Sequence, residues 1–92
     1  MKKVINRKQY NTETATEICN DGILGQNYVT RANEVYRTRK GAYFCYYRTM
    51  WQGEHNDITV LTEEEAEEMY TNSCNREVEF EEAFPDIVIE EG

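Results

Sequence analysis

The clearest pattern of apolar and polar positions lies between residues 28 and 49. Tyr28 to Thr38 and Ala42 to Thr49 are rich in tyrosine, valine, threonine and phenylalanine, which suit a pleated surface. Arg39-Lys40-Gly41 separates the two runs and reads as a hairpin loop, with Gly41 free to take positive φ. Successive strand residues point to opposite sides. Tyr43, Cys45 and Tyr47 therefore share one face, and Phe44, Tyr46 and Arg48 the other. One face is expected to be core. The other is expected to be covered only in part, because Arg37, Arg39 and Arg48 need water or acidic partners.

The rest of the chain supplies shorter elements. Lys3 to Ile5 predicts a short strand. Tyr10-Asn11-Thr12 predicts a turn into a helix of about two turns, over residues 12–20. Asn11 or Thr12 would cap it, and Glu13 suits the dipole. Ala15, Ile18 and Cys19, at i, i+3 and i+4, would form its apolar face, and Asn20-Asp21-Gly22 would stop it. Met50 to Asn56 is a loop with Trp51, Gly53 and His55, and Asp57 to Leu61 is a third strand with Ile58 and Val60 on one face. Thr62-Glu63-Glu64-Glu65 is a capping box, followed by Ala66, Met69, Tyr70 and Ser73 on one helical face.

Residues 76–92 carry two overlapping patterns. Val78 and Phe80 alternate with Glu77, Glu79 and Glu81 as on an edge strand; Phe80, Ala83 and Phe84 fit a helical face. Glutamate and alanine favour helix, so a short helix ending before Pro85 is expected, then an acidic tail over 86–92. Ile87, Val88 and Ile89 would fit an added strand there. These elements predict one α+β domain spanning residues 1–92. A small antiparallel sheet would be centred on a long β-hairpin (28–49), with two or three short helices packed on it.

Composition narrows the picture. The apolar content is 39%, so the seven tyrosines, three phenylalanines and one tryptophan must supply much of the core. The net charge of −8 is segregated: +4 over residues 1–40, −1 over 41–60 and −11 over 61–92. Such a balance argues against direct nucleic-acid binding and against anionic membranes. Cys19, Cys45 and Cys74 are an odd set without C-x-x-C spacing, as expected of reduced thiols in a cytoplasmic protein. Met1-Lys2-Lys3 is followed by Val4-Ile5 and then polar residues, with no apolar h-region, so no secretory signal is expected, and no apolar run has the length of a membrane span.

Catalytic chemistry finds little support. A nucleophile needs an oriented base, and His55 is the one histidine, with Cys45 in a strand interior as its candidate partner; a carboxylate pair is the other enzyme option, though runs such as Glu63-Glu64-Glu65 read as a solvated helix start. Four cysteines and histidines in total are scattered along the chain, and no calcium-loop pattern is present, so neither metal nor cofactor is expected. The five glycines form no phosphate-cradling motif. The expectation is a binding protein rather than an enzyme.

The acidic surface is the leading candidate. Glutamates at i and i+4 lie about 6 Å apart, comparable with phosphate spacing along a nucleic-acid strand. Glu63, Glu64, Glu67, Glu68, Glu77, Glu79, Glu81 and Glu82 would then imitate nucleic acid and dock into a basic channel. The bland alternative is a soluble face. A second interface candidate is the tyrosine-rich hairpin, with Tyr36, Tyr43, Tyr47 and Trp51 meeting a protein partner.

Three segments carry a resemblance. Lys8-Gln9-Tyr10-Asn11-Thr12-Glu13-Thr14-Ala15, Glu34-Val35-Tyr36-Arg37-Thr38-Arg39-Lys40-Gly41-Ala42-Tyr43-Phe44 and Leu61-Thr62-Glu63-Glu64-Glu65-Ala66 occur in order over residues 8–70. They resemble small acidic proteins of phages, plasmids and integrative elements of Gram-positive bacteria. The Tyr-Arg-Thr-Arg-Lys-Gly block is the most specific part. Met50 to Asn56 and the last twenty residues depart from the pattern. The setting, size and acidity are similar to those of anti-CRISPR proteins. That similarity implies an inhibitor of a Cas effector, acting in a bacterial host by blocking target-DNA binding at the PAM site or channel.

Overall fold

The central hairpin forms because its two β-rich runs meet across a turn that tolerates left-handed backbone. In the computed structural model, which describes residues 1–21, 31–73 and 75–88, β4 (Arg31–Arg37) pairs antiparallel with β5 (Tyr43–Thr49), Tyr36 facing Phe44 and Val35 facing Cys45. Gly41 takes φ +88, and a Cβ there would stand 3.3 Å from Arg37 Nη2. Gly41→Ala is therefore expected to cost about 1–2 kcal/mol, read as a lower urea midpoint with unchanged slope.

β4 and β5 are the middle of a five-stranded sheet. β6 (Asp57–Leu61) flanks β5; β3 (Thr16–Asn20) flanks β4, and the two-residue β7 (Asn75–Arg76) lies outside β3. β1 (Lys2–Ile5) and β2 (Lys8–Asn11) make a separate two-stranded hairpin. α1 (Glu63–Asn72) and α2 (Phe80–Ala83) complete the fold, which is α+β as expected.

Both faces of the sheet are covered. On one, Ile18, Cys19, Val35 and Tyr43 pack with Ala66 and Tyr70 of α1 and with Ala83 and Phe84. Phe84 stacks on Tyr43 at 5.2 Å and meets the Tyr70 ring edge-on at 5.6 Å. Buried hydroxyls are satisfied: Tyr43 donates to the Ala83 carbonyl at 2.7 Å, and Tyr70 to the Val78 carbonyl at 2.6 Å. On the opposite face Tyr10 packs with Tyr36, Phe44 and Ile58, which seats the β1–β2 hairpin.

The Thr62 cap forms as read. Thr62 Oγ1 accepts from Glu65 N at 3.1 Å, and Glu65 Oε1 accepts from Thr62 N at 2.9 Å. α2 is the short helix expected before Pro85.

One element differs. Residues 12–20 are not a helix: 8–11 form β2, 12–15 turn, and 16–20 form β3. The register of β3 against β4 shifts between Glu17 and Cys19. This bulge buries the consecutive residues Ile18 and Cys19 together, which imitates the i+3, i+4 spacing of a helical face. Residues 28–30, Gly22, Gly25, Cys74 and the tail beyond Val88 lie outside the described residues.

Candidate functional site

α1 presents its glutamates because Ala66 and Tyr70 are the face drawn into the core. Glu63, Glu64 and Glu68 are exposed and Glu67 is half-buried. Glu77, Glu79, Glu81 and Glu82 are exposed along the following segment, on the same side of the sheet. Glu77, Glu79 and Glu82 share an open groove of about 430 Å³ with Tyr70, Arg76 and Val78. Glu68 lines a second, smaller one of about 340 Å³ with Glu65 and Met69.

These carboxylates are not neutralised from within. The ion pairs among the described residues are Lys3–Asp57, Arg31–Glu54 and Arg48–Glu34, none of which uses an acid of the helical layer. Arg76 lies in that layer, but its guanidinium donates to the Tyr70 and Thr71 carbonyls at 3.1 and 2.7 Å and lies over the Tyr70 ring. Among the described residues Glu77 has a structural tie, accepting from Asn20 Nδ2 at 3.1 Å.

The hairpin aromatics are placed differently from one another. Tyr36 and Tyr43 are buried, 9% and 3% exposed, and are not available to a partner. The core took them: Tyr36 stacks on Phe44 across the hairpin, and Tyr43 stacks on Phe84 at the end of α2. Tyr47 is half-buried and donates to Glu54 at 3.1 Å. Trp51 is 51% exposed, under the Arg31 guanidinium at 5.1 Å.

Two polar networks escaped the sequence reading, because they are built across strands. Glu34 accepts from Arg48 at 3.0 Å and from the Tyr36 hydroxyl at 2.8 Å. Burial, then the neighbouring Glu34 charge, pushes the Glu17 carboxyl up. The alternation of Glu34 and Tyr36 against Tyr46 and Arg48 was the available signal, but it needs the hairpin register.

The second network joins Arg31, Tyr47, Thr49 and Glu54. Hydrogen bonds from Arg31 and then Thr49 lower the Glu54 pKa from 4.5 to about 2. Because the folded value lies below the unfolded one, this contribution is complete above about pH 4.5 and fades as pH falls toward 2. Glu54→Gln is expected to flatten the acid limb of a urea-midpoint profile in that window. An unchanged limb would disprove the assignment.

The described cysteines are placed unfavourably for nucleophilic chemistry. Burial pushes the Cys19 and Cys45 thiols up to about 11, so both are protonated at neutral pH. Cys45 Sγ donates to Asn33 Oδ1 at 3.6 Å, and His55 is exposed on its loop. Among the described residues no group of three or more metal-ligating side chains is arranged to hold an ion. No described helix is long and apolar enough to cross a membrane. The chain matches no family model, no curated protein and no solved structure.

Proposed function

We propose that this protein is a non-enzymatic inhibitor that docks its helical, carboxylate-bearing layer onto the basic nucleic-acid-binding surface of a bacterial effector. The observation that supports this reading most is the unneutralised layer itself. Exposed glutamates of α1 and of residues 77–82 share one side of the sheet with no ion-pairing cation among the described residues. Charges held this way repel one another and cost stability, a cost that a basic partner relieves. The resemblance of the Tyr36–Gly41 block to mobile-element proteins directs the choice of partner toward a Cas effector, with the protein acting as an anti-CRISPR at the PAM site or channel.

The inhibitor acts in this reading by occupancy, in the cytoplasm of the host, without cofactor. The reading is tested by capturing assembled effectors on tagged protein and measuring target-DNA binding in the same samples. Capture with loss of DNA binding supports it. Capture with DNA binding intact moves the block to a later step, and no capture of any effector overturns the choice of partner. The rival reading, docking through hairpin tyrosines, is weakened because Tyr36 and Tyr43 are interior.

A further inference from the structure

Four cations from two separate turns meet at one groove on the side of the sheet away from the helices. Arg7 sits in the turn between β1 and β2, Lys8 opens β2, and Arg39 and Lys40 lie in the β4–β5 turn. Together they line a groove of about 550 Å³. Among the described residues no carboxylate lines it. None of the four joins an ion pair among the described residues. In a chain of net charge −8, four of ten basic residues gathered without a counter-charge among the described residues are unfavourable unless an anion joins them.

The turn at Arg7 is a second sign. Asn6 and Arg7 take φ 51 and 65, the left-handed conformations of a two-residue hairpin turn. Asparagine suits the first position, but the second favours glycine. Arginine accepts a strained backbone there and keeps a guanidinium at the groove mouth.

The lining indicates the ligand class. Gln9 and Thr38 add an amide and a hydroxyl, which with arginine and lysine are the usual partners of phosphate oxygens, while the Thr14 hydroxyl on the same wall donates to the Asn11 carbonyl at 3.4 Å. Tyr10 also lines the groove but is 5% exposed, so it offers no free ring for base stacking. The acidic layer does not cancel this field. The molecule's shortest extent is 18 Å, about two Debye lengths at physiological ionic strength. The net charge argues against nucleic acid as an average; its distribution leaves one face open to it.

We propose that this groove binds phosphate groups, along a single-stranded nucleic-acid backbone or in a small polyphosphate, by charge and not by base. The inference is independent of what the acidic layer docks on. It is tested by titrating labelled protein with oligothymidylate and with inorganic tripolyphosphate, following backbone amide shifts. Shifts are expected at residues 7–10 and 38–42. Four phosphate contacts predict an oligonucleotide affinity that falls about fifty-fold between roughly 50 and 200 mM salt. A tighter oligonucleotide identifies a strand as the ligand, and equal affinities identify a small polyphosphate. Arg7→Gly is the sharpest variant, because it should stabilise the turn while weakening binding several-fold, whereas Lys2→Gln, outside the groove, should change neither. The proposal is overturned if neither probe shifts those amides, or if Arg7→Gly together with Arg39→Gln leaves the titration unchanged.

Discussion

Replacing Phe44 with alanine is expected to destabilise the protein by about 3–5 kcal/mol. That is a large part of the roughly 5–15 kcal/mol available to a small domain. Phe44 is 0% exposed in a strand flanked on both sides, so neighbouring backbone cannot collapse into the space it leaves. Its ring stacks on Tyr36 at 5.2 Å and meets Tyr10 edge-on at 5.7 Å. Tyr10 belongs to the β1–β2 hairpin, and an isolated two-stranded hairpin is marginal in water. Apart from this cluster the hairpin's one ion pair to the sheet, among the described residues, is the exposed Lys3–Asp57. The variant should therefore show a lower urea midpoint, with amide exchange of β1 and β2 accelerated more than that of β3 to β5. Val4→Ala, at a position 67% exposed, should move the midpoint by less than about 0.5 kcal/mol. A Phe44→Ala effect below about 1 kcal/mol would mean that the hairpin is seated by other contacts.

The same hairpin marks where sequence reasoning stopped. β4, β5, β6 and the Thr62 capping box were legible because turn chemistry, strand composition and a local cap all act within a few residues. β3 was not. Its bulge sets Ile18 beside Cys19 on one face, and only pairing with β4 reveals that the spacing belongs to a strand. The two-residue β7 exists through its pairing with Cys19 and Asn20, and its own residues carry no strand signal. For the candidate site, the glutamates were readable as a set, but their lack of intramolecular cations was not. Nor was the basic groove, since Arg7-Lys8 and Arg39-Lys40 lie far apart in the sequence and only the fold brings them to one groove. Tyr36 and Tyr43 looked like interface residues by type. Their burial follows from what packs across the sheet, which no single strand records.

Reversing four exposed glutamates, Glu64→Lys, Glu68→Lys, Glu81→Lys and Glu82→Lys, is expected to separate stability from binding. The chosen positions leave the Thr62–Glu65 cap and the Asn20–Glu77 tie intact. Reversing both Glu64 and Glu68 leaves a like-charge pair at i, i+4, and lysine at position 64 in the first turn of α1 opposes the helix dipole by some tenths of a kcal/mol. Four lysines within a strongly acidic layer replace repulsion with attraction to Glu63, Glu67 and Glu79. These effects oppose one another, so the variant should stay within about 1 kcal/mol of the native stability, with the attractive part fading as salt screens the new pairs. Binding to a captured effector should move the other way. Facing a basic channel, each reversal turns an attraction into a repulsion, and together they should weaken the complex by about a hundredfold or more, mostly through slower association. Glutamine at the same four positions should give an intermediate loss and a shallower salt dependence. Tyr47→Phe, which removes a hydroxyl of the hairpin bonded to Glu54, should leave binding unchanged. If the lysine variant were folded and bound its effector with unaltered affinity and salt dependence, the acidic layer would be a solvated face and nothing more. If Tyr47→Phe alone abolished binding, the interface would lie instead along the exposed end of the hairpin with Trp51.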